Sequence, residues 1–254
     1  YGLKIKYPVG LSGRVDPHGV AQKAIAQFGF GFIEIGPVTA ESVGNEASVE
    51  RDVVNETLVY PQQWGNDGLK TIVARLRGKR DHSLPQLLRI RHMPSCTLEK
   101  AMKEQQLLLN KLSPYADGFY LDSIDDRWSI EETIAFIQKI SRWYEGIPHR
   151  KSLLLYIPLD LPMDQLWLLL DYLQFENIDG VVIGEMITTD RGYLVGPSGK
   201  ASTLEKVKAI EERYSERFTV IASGGIHEPK DAVDIIEAGA DLVQLHSGLV
   251  YSGP

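Results

Sequence analysis

Cysteine is nearly absent from this chain. Cys96 stands alone among 254 residues, so no internal disulfide can form, and a reducing, cytoplasmic setting fits. Long apolar runs are missing too. None approaches the roughly 20 residues of a membrane-spanning helix, so no integral membrane segment is expected. Basic residues are in the minority: 27 Lys plus Arg against 34 Asp plus Glu gives a net charge of −7, which speaks against a general nucleic-acid binder. The signatures of several enzyme classes are also lacking. No GxGxxG follows the first apolar run, and no GxSxG elbow occurs. The 6 histidines show neither HxH nor HExxH spacing, so no metal site is expected from them. The loop Leu194–Ala201, LVGPSGKA, ends in Gly-Lys but is not a P-loop. Leu194 stands where that motif needs glycine, and Ala201 where it needs a hydroxyl. The start, Tyr1-Gly2-Leu3-Lys4-Ile5, is unlike a signal peptide. Flanking residues are expected, because the last apolar run has no evident helix after it.

What the sequence does have is concentrated in Thr219–Pro254. Val220-Ile221-Ala222 is a buried-type run that ends at Ser223-Gly224-Gly225. A helix follows, with Pro229 near its start, an apolar face of Ala232, Val233, Ile235, Ile236 and Ala238, and Gly239 as its stop. A second run, Asp241–Leu245, ends at His246-Ser247-Gly248. Two successive parallel strands thus carry small residues at their C-terminal ends. In a (β/α)8 barrel this is where a phosphate site forms, because glycine lets backbone N–H groups approach an anion.

Strands and helices alternate through the rest of the chain. Helices are expected over Val20–Phe28, Gly68–Arg77, Thr97–Leu112, Ile130–Tyr144, Met163–Leu173 and Leu204–Tyr214, the fourth capped by Ser129 with Glu132. Strands are expected over Ile5–Leu11, Phe32–Gly36, Leu87–Ile90, Asp117–Leu121, Ser152–Ile157 and Ile178–Ile183. Residues 42–60 read as an inserted hairpin, and the polar stretch 186–202 is too long for a plain turn. About eight βα units select a single α/β domain over residues 1–254, a (β/α)8 TIM barrel rather than an open doubly wound sheet.

At the expected barrel mouth, Asp122, Asp125 and Asp126 follow a strand. Carboxylates in that place can bind Mg²⁺, act as a base, or simply solvate a turn. His246 is the one histidine expected at the catalytic face, with His18 a weaker second.

Several stretches, in a common order, resemble the dihydroorotate dehydrogenases, flavin mononucleotide (FMN) enzymes of pyrimidine biosynthesis built on an α/β barrel. They are Pro8–Leu11, Asp16–Gly19, GFGFIEIGPVT (Gly29–Thr39), Ile157–Leu161, Ile178–Gly180, Gly196–Lys200, Ser223–Ile226, Asp231–Leu249 and Gly253-Pro254. The resemblance implies FMN as cofactor, a small-molecule substrate, and hydride transfer from that substrate to the flavin. It implies a phosphate held by backbone at Gly224, Gly225, Ser247 and Gly248, with Ser223 and His246 beside them. It places the flavin ring near Ser12, Gly13 and Gly184, lined by Ser198 and Gly199.

The reacting end departs from the family pattern. Pro17 and Tyr156 stand where lysines are expected, the second of which stabilises negative charge on the reduced flavin. The loop that supplies the catalytic base and substrate amides corresponds to Asp122–Arg127, so Asp125 takes the place of the base and Asp122 that of an amide. Gly184-Glu185 replaces a Thr-Asn pair, and the loop near Trp64-Gly65-Asn66 keeps only Asn66. Catalysis is expected from Asp125 and Tyr156, and substrate contacts from Asn66, Asp122 and Glu185. An anionic substrate would then meet unpaired acids, at a cost of roughly a few kcal/mol each in a dry site. Two other readings stay open: a binding protein that keeps a phosphate-bearing ligand without turnover, and a barrel enzyme holding a metal on Asp122, Asp125 and Glu185. The oligomeric state and the electron acceptor are not legible.

Overall fold

The computed structural model describes residues 3–44, 48–62, 65–79 and 84–253. In chain order the elements are β1 (Val9–Leu11), α1 (Gln22–Ile25), β2 (Ile33–Val38), β3 (Glu50–Asp52), β4 (Thr57–Tyr60), α2 (Gly68–Lys79), β5 (Gln86–Arg91), α3 (Leu98–Leu112), β6 (Gly118–Asp122) and α4 (Ile130–Glu145). They continue with β7 (Ser152–Ile157), α5 (Met163–Leu173), β8 (Gly180–Ile183), β9 (Ile187–Thr189), β10 (Gly192–Val195), α6 (Lys200–Tyr214), β11 (Thr219–Ala222), α7 (Pro229–Glu237), β12 (Leu242–Leu245) and α8 (Ser247–Ser252). Eight parallel strands close a barrel in the order β1-β2-β5-β6-β7-β8-β11-β12, with β12 returning to β1. This is the expected (β/α)8 architecture.

Residues alternate between the two faces of each strand. In β5, Leu88 and Ile90 pack outward into the main core under the helices, whereas Leu87 joins the interior cluster. Helix α4 is held by the expected capping box, Ser129 accepting from the Glu132 amide while Glu132 accepts from the Ser129 amide.

Three expectations are corrected. The helix over Val20–Phe28 contracts to α1 and a 3₁₀ turn, Ala26–Phe28, and Val20 and Phe28 are 56% and 57% exposed rather than core. The last strand is followed by a helix, the short α8. The inserted hairpin forms as β3 and β4, its residues 45–47 lying outside the described set, and it has an unforeseen partner. Within the polar stretch 186–202, β9 and β10 form a second hairpin, and β4 pairs antiparallel with β10 to give a sheet in the order β3-β4-β10-β9. The first hairpin rises from the C-terminal end of β2 and the second from that of β8, strands on opposite sides of the barrel. They join across the mouth as a roof. Thr188 N donates to Asp160 Oδ2 at 2.8 Å, and Tyr251 donates to Asp52 and Thr57 carbonyls, tying its two ends down.

The barrel axis is apolar only in its lower part, where Phe32, Leu87, Leu154 and Ile221 pack with Ile5 and Leu242. Above them lie Glu34, Arg89, Tyr120, Tyr156 and Gln244, all buried. Arg89 donates through Nε to Asp122 Oδ2 at 2.8 Å, with Nη2 also 2.8 Å from that oxygen, lies 3.6 Å from Glu34, and stacks on the Tyr156 ring at 3.5 Å. Gln244 joins Glu34 at 3.1 Å to Ser223 at 2.8 Å. Breaking one side of a buried pair leaves an uncompensated charge. Arg89→Met is therefore expected to destabilise the protein by about 3–5 kcal/mol, and adding Asp122→Leu should recover much of that loss. Equilibrium denaturation of the single and double variants checks both. An unchanged single variant would show that the pair is not needed.

Candidate active site

The roof divides the mouth into two sides. On one side, beyond β11, β12 and β1, the chain brings three turns together: Gly196–Lys200, Ser223–Ile226 and His246–Gly248. Gly225 has φ of 72°, and a Cβ there would lie 2.1 Å from Lys200 N. A Cβ on Gly248 would lie 2.6 Å from Ile226 O, and one on Gly224 would lie 2.3 Å from Thr203 Oγ1. The turns are thus packed backbone to backbone, which only glycine permits. Helix α6 opens into this junction, and the N–H groups of its first turn have no intrahelical acceptor. Thr203 Oγ1, on the same helix, is fully buried and makes no hydrogen bond. Converging backbone donors with an unpartnered buried hydroxyl suit a phosphate.

The side chains here are less available than the backbone. Ser223 is spent on Gln244 inside the barrel, Ser198 is solvent-exposed, and Lys200 Nζ pairs with Asp231 and Asp234, each at 2.7 Å. The Ser247 hydroxyl meets His227 Nε2 at 2.7 Å, and His227 Nδ1 lies 3.4 Å from Glu56.

Between the two sides, Ser12 Oγ donates to Glu185 Oε1 at 2.9 Å, and His246 Nδ1 lies 3.1 Å from the same oxygen. Tyr60 reaches down from the roof to place its hydroxyl 2.7 Å from His246 Nε2, and Arg14 lies over the Tyr60 ring at 4.7 Å. Burial would raise the Glu185 pKa, but His246, Arg14 and Ser12 more than offset it and leave the group below the usual carboxylate range. The glycines expected near the flavin are small because interior side chains rise beneath them. A Cβ on Gly13 would come 2.8 Å from Glu34 Oε1, and one on Gly184 would come 2.4 Å from the Tyr156 hydroxyl.

On the other side, beyond β5, β6 and β7, lie two adjoining cavities. The larger, about 530 Å³, is lined by Arg89, Arg91, Asp122, Asp125, Tyr156 and Tyr193 among others. The smaller, about 270 Å³, is lined by Asn66, Arg91, His92, Asp125, Arg127 and Tyr193. Asn66 Oδ1 is used by Thr39 Oγ1 and Gly68 N, both at 2.9 Å. Burial raises the Tyr156 phenol well above its ordinary range.

The structure corrects the expected electrostatics. Asp122 and Asp125 are not unpaired acids. Burial would raise the Asp122 pKa, but Arg89 and Arg91 more than offset it. Arg127 grips Asp125 by Nε at 2.8 Å, Nη2 at 2.5 Å and its own amide at 3.0 Å. An aspartate held this way is a poor proton acceptor. Asp122, Asp125 and Glu185 also do not converge, Glu185 being bound to Ser12 and His246, and among the described residues no group of three potential ligands could hold a metal ion. The metal-enzyme reading therefore lacks a donor set. At the position where the resemblance led to a lysine, Tyr156 instead carries the Arg89 guanidinium from β5 over its ring at 3.5 Å. Nor is His246 alone at this face. His92 lines the smaller cavity 3.6 Å from Asp125, and His227 sits on Ser247, whereas His18 pairs with Asp67 at 3.1 Å. The residues missed were Arg14, Tyr60, Arg89, Arg91, Arg127, His92 and His227. The signal for two of them was present: in LLRIRH, arginines take the inward alternate positions of a strand that should be apolar. Trp64 and Pro254 lie outside the described residues.

A family profile described as Dihydroorotate dehydrogenase matches residues 174–254, the segment that carries the glycine cradle. A dihydroorotate dehydrogenase (quinone) of Christiangramia forsetii is 28% identical over 276 residues, spanning 100% of this chain and 80% of that protein. One from Marinomonas sp. is 27% identical over 279 residues, with the same coverage. The chain is thus similar, along its whole length, to dihydroorotate dehydrogenases. Its fold is shared with a ligand-free DHODH from Eimeria tenella, at a TM-score of 0.87, 19% identity, and coverage of 99% of this chain and 83% of that one. The same enzyme in complex with ferulenol gives a TM-score of 0.88 at 19% identity, covering 100% and 79%. In this chain the glycine cradle stands beside a mouth lined with arginine–carboxylate pairs.

Burial raises the Asp125 pKa, but Arg127 and His92 outweigh it and hold the carboxyl at about 2. With an unfolded value near 4, the pairing stabilises the fold fully above pH ~5. That contribution, on the order of 2 kcal/mol, is lost as pH falls through about 2. Asp125→Asn is expected to remove this part of the pH dependence, as read from denaturation midpoints between pH 5 and 2. A wild-type curve that matches the variant's would exclude the pairing.

Proposed function

We propose that the chain is an FMN-dependent oxidoreductase of the dihydroorotate dehydrogenase type, working on a small anionic ring or chain compound. The observation that carries this reading is the glycine cradle, in which Gly199, Gly225 and Gly248 allow three turns to meet backbone to backbone at the barrel mouth. The phosphate of FMN would be held there by the backbone of Gly224, Gly225, Ser247 and Gly248. The ring would rest over Ser12, Gly13 and Gly184, with Ser198 and Gly199 along its side. When bound, FMN supplies the hydride acceptor.

The chain's own residues supply the surroundings. Tyr60, His246 and Glu185 fasten the roof to the barrel and keep water from that part of the mouth. Arg89 holds a fixed positive charge beneath it, with Tyr156 as a neutral platform. Asp122 and Asp125 orient Arg89 and Arg127 rather than facing the substrate as bare acids. Among the described residues no helix is long and apolar enough to cross a membrane.

Purified protein incubated with excess FMN is expected to show flavin absorbance after desalting. Riboflavin, which lacks the phosphate, should bind at least ~10-fold more weakly, since one charge-assisted hydrogen bond is worth about 1.5–3 kcal/mol. Anaerobic addition of dihydroorotate should then bleach the flavin bands. Bands that form but do not bleach would identify a flavin-binding protein with another substrate or no turnover. No bands at all would refute the cofactor assignment.

A further inference from the structure

The geometry points to Arg91 as the anchor for a substrate carboxylate, a role that moves anion recognition to the C-terminal end of β5. The two cavities on this side share Arg91, Asp125, Asp126 and Tyr193, so they meet along one wall, and Arg91 faces both. Three arginines line the pair of cavities, and their states differ. Arg89 is buried, with two nitrogens on Asp122 Oδ2 at 2.8 Å. Arg127 is committed to Asp125 through both Nε and Nη2. Arg91 has only a 3.6 Å approach to Asp122 Oδ2, the oxygen that Arg89 already occupies, and this is too long for a hydrogen bond. Its side chain is 29% exposed.

The register explains why it is placed there. Leu87, Arg89 and Arg91 share the inward face of β5, and Arg91 lies opposite Asp122 on β6, at the top of the barrel. Asp122 and Asp125 are hydrogen-bonded by Arg89 and Arg127, leaving Arg91 only its 3.6 Å approach to Asp122, and Asp126 is exposed to solvent. An entering carboxylate therefore meets an arginine whose planar fork is unspent. Such a fork binds a carboxylate through two parallel N–H···O bonds. Asn66, on the wall of the smaller cavity, adds an amide within the same space.

This inference rests on the proposed oxidoreductase reading only in the choice of probe. The experiment measures binding of orotate and of uracil, which is the same ring without the carboxylate, to the whole chain by calorimetry. Wild-type, Arg91→Gln and Arg91→Lys proteins are compared, with FMN binding followed separately by absorbance. Wild-type protein is expected to prefer orotate to uracil by roughly 10- to 100-fold, the range of one or two charge-assisted hydrogen bonds. Arg91→Gln should abolish that preference and Arg91→Lys should keep part of it, while FMN binding is unchanged in both. Retention of the full preference in Arg91→Gln, or its absence in wild type, would overturn the assignment even if FMN binds. An Arg91-dependent preference in a protein that binds no FMN would uphold the anchor and refute the cofactor reading instead.

Discussion

The mouth of this barrel depends on a buried arginine. Arg89 stands in the axis, pinned to Asp122, near Glu34 and flat against Tyr156. A guanidinium in such a place is tolerated only because carboxylates compensate it; burial alone would lower its pKa, and Asp122, Tyr156 and Glu34 more than reverse that. The compensation fixes the neighbours in turn. Burial and Glu185 push Glu34 upward while Arg89, Gly13 and Gln244 draw it back, leaving it above the ordinary carboxylate range. Asp122 is kept ionised and spent, which leaves Arg91 beside it without a close partner. One interior charge thus decides which groups above it are committed and which face the cavities.

The site is assembled from segments far apart in sequence. The cradle needs the starts of α6 and α8 and the turn after β11, and the cavities need the ends of β5, β6 and β7. Between them the roof uses hairpins inserted after β2 and β8, joined through Tyr60 opposite Tyr193. The regular (β/α)8 frame positions the parts, and the insertions make them a site.

Much of the frame was legible because its signals are local. Apolar runs ending at glycine marked β11 and β12, and Ser129 with Glu132 marked the start of α4 to the residue. The roof was half legible. The hairpin over 42–60 showed weak alternation, whereas β9 and β10 are only three and four residues long inside a polar stretch, too short to show a period of their own, and are set by pairing with each other and, for β10, with β4. The residues of the cradle could be named since glycine there answers a backbone requirement. The charge states could not. Asp122 and Asp125 looked like exposed acids because their partners, Arg89 and Arg127, become neighbours only when strand register and loop geometry are known. Tyr156 looked like a lost charge for the same reason. Arg89, two strands away on β5, lies over its ring.

The roof also has a kinetic consequence. Because β4 and β10 cross the mouth from opposite sides, any ligand long enough to reach both the glycine cradle and the arginine-lined cavities must pass beneath them. A compact molecule confined to the cavities need not. Long ligands therefore exchange only as fast as the roof lifts, which breaks the Tyr60–His246 bond and the strand pairing, while small ones come and go beside a closed span. The same arrangement makes one occupant resident and the other transient without requiring a difference in their intrinsic affinities.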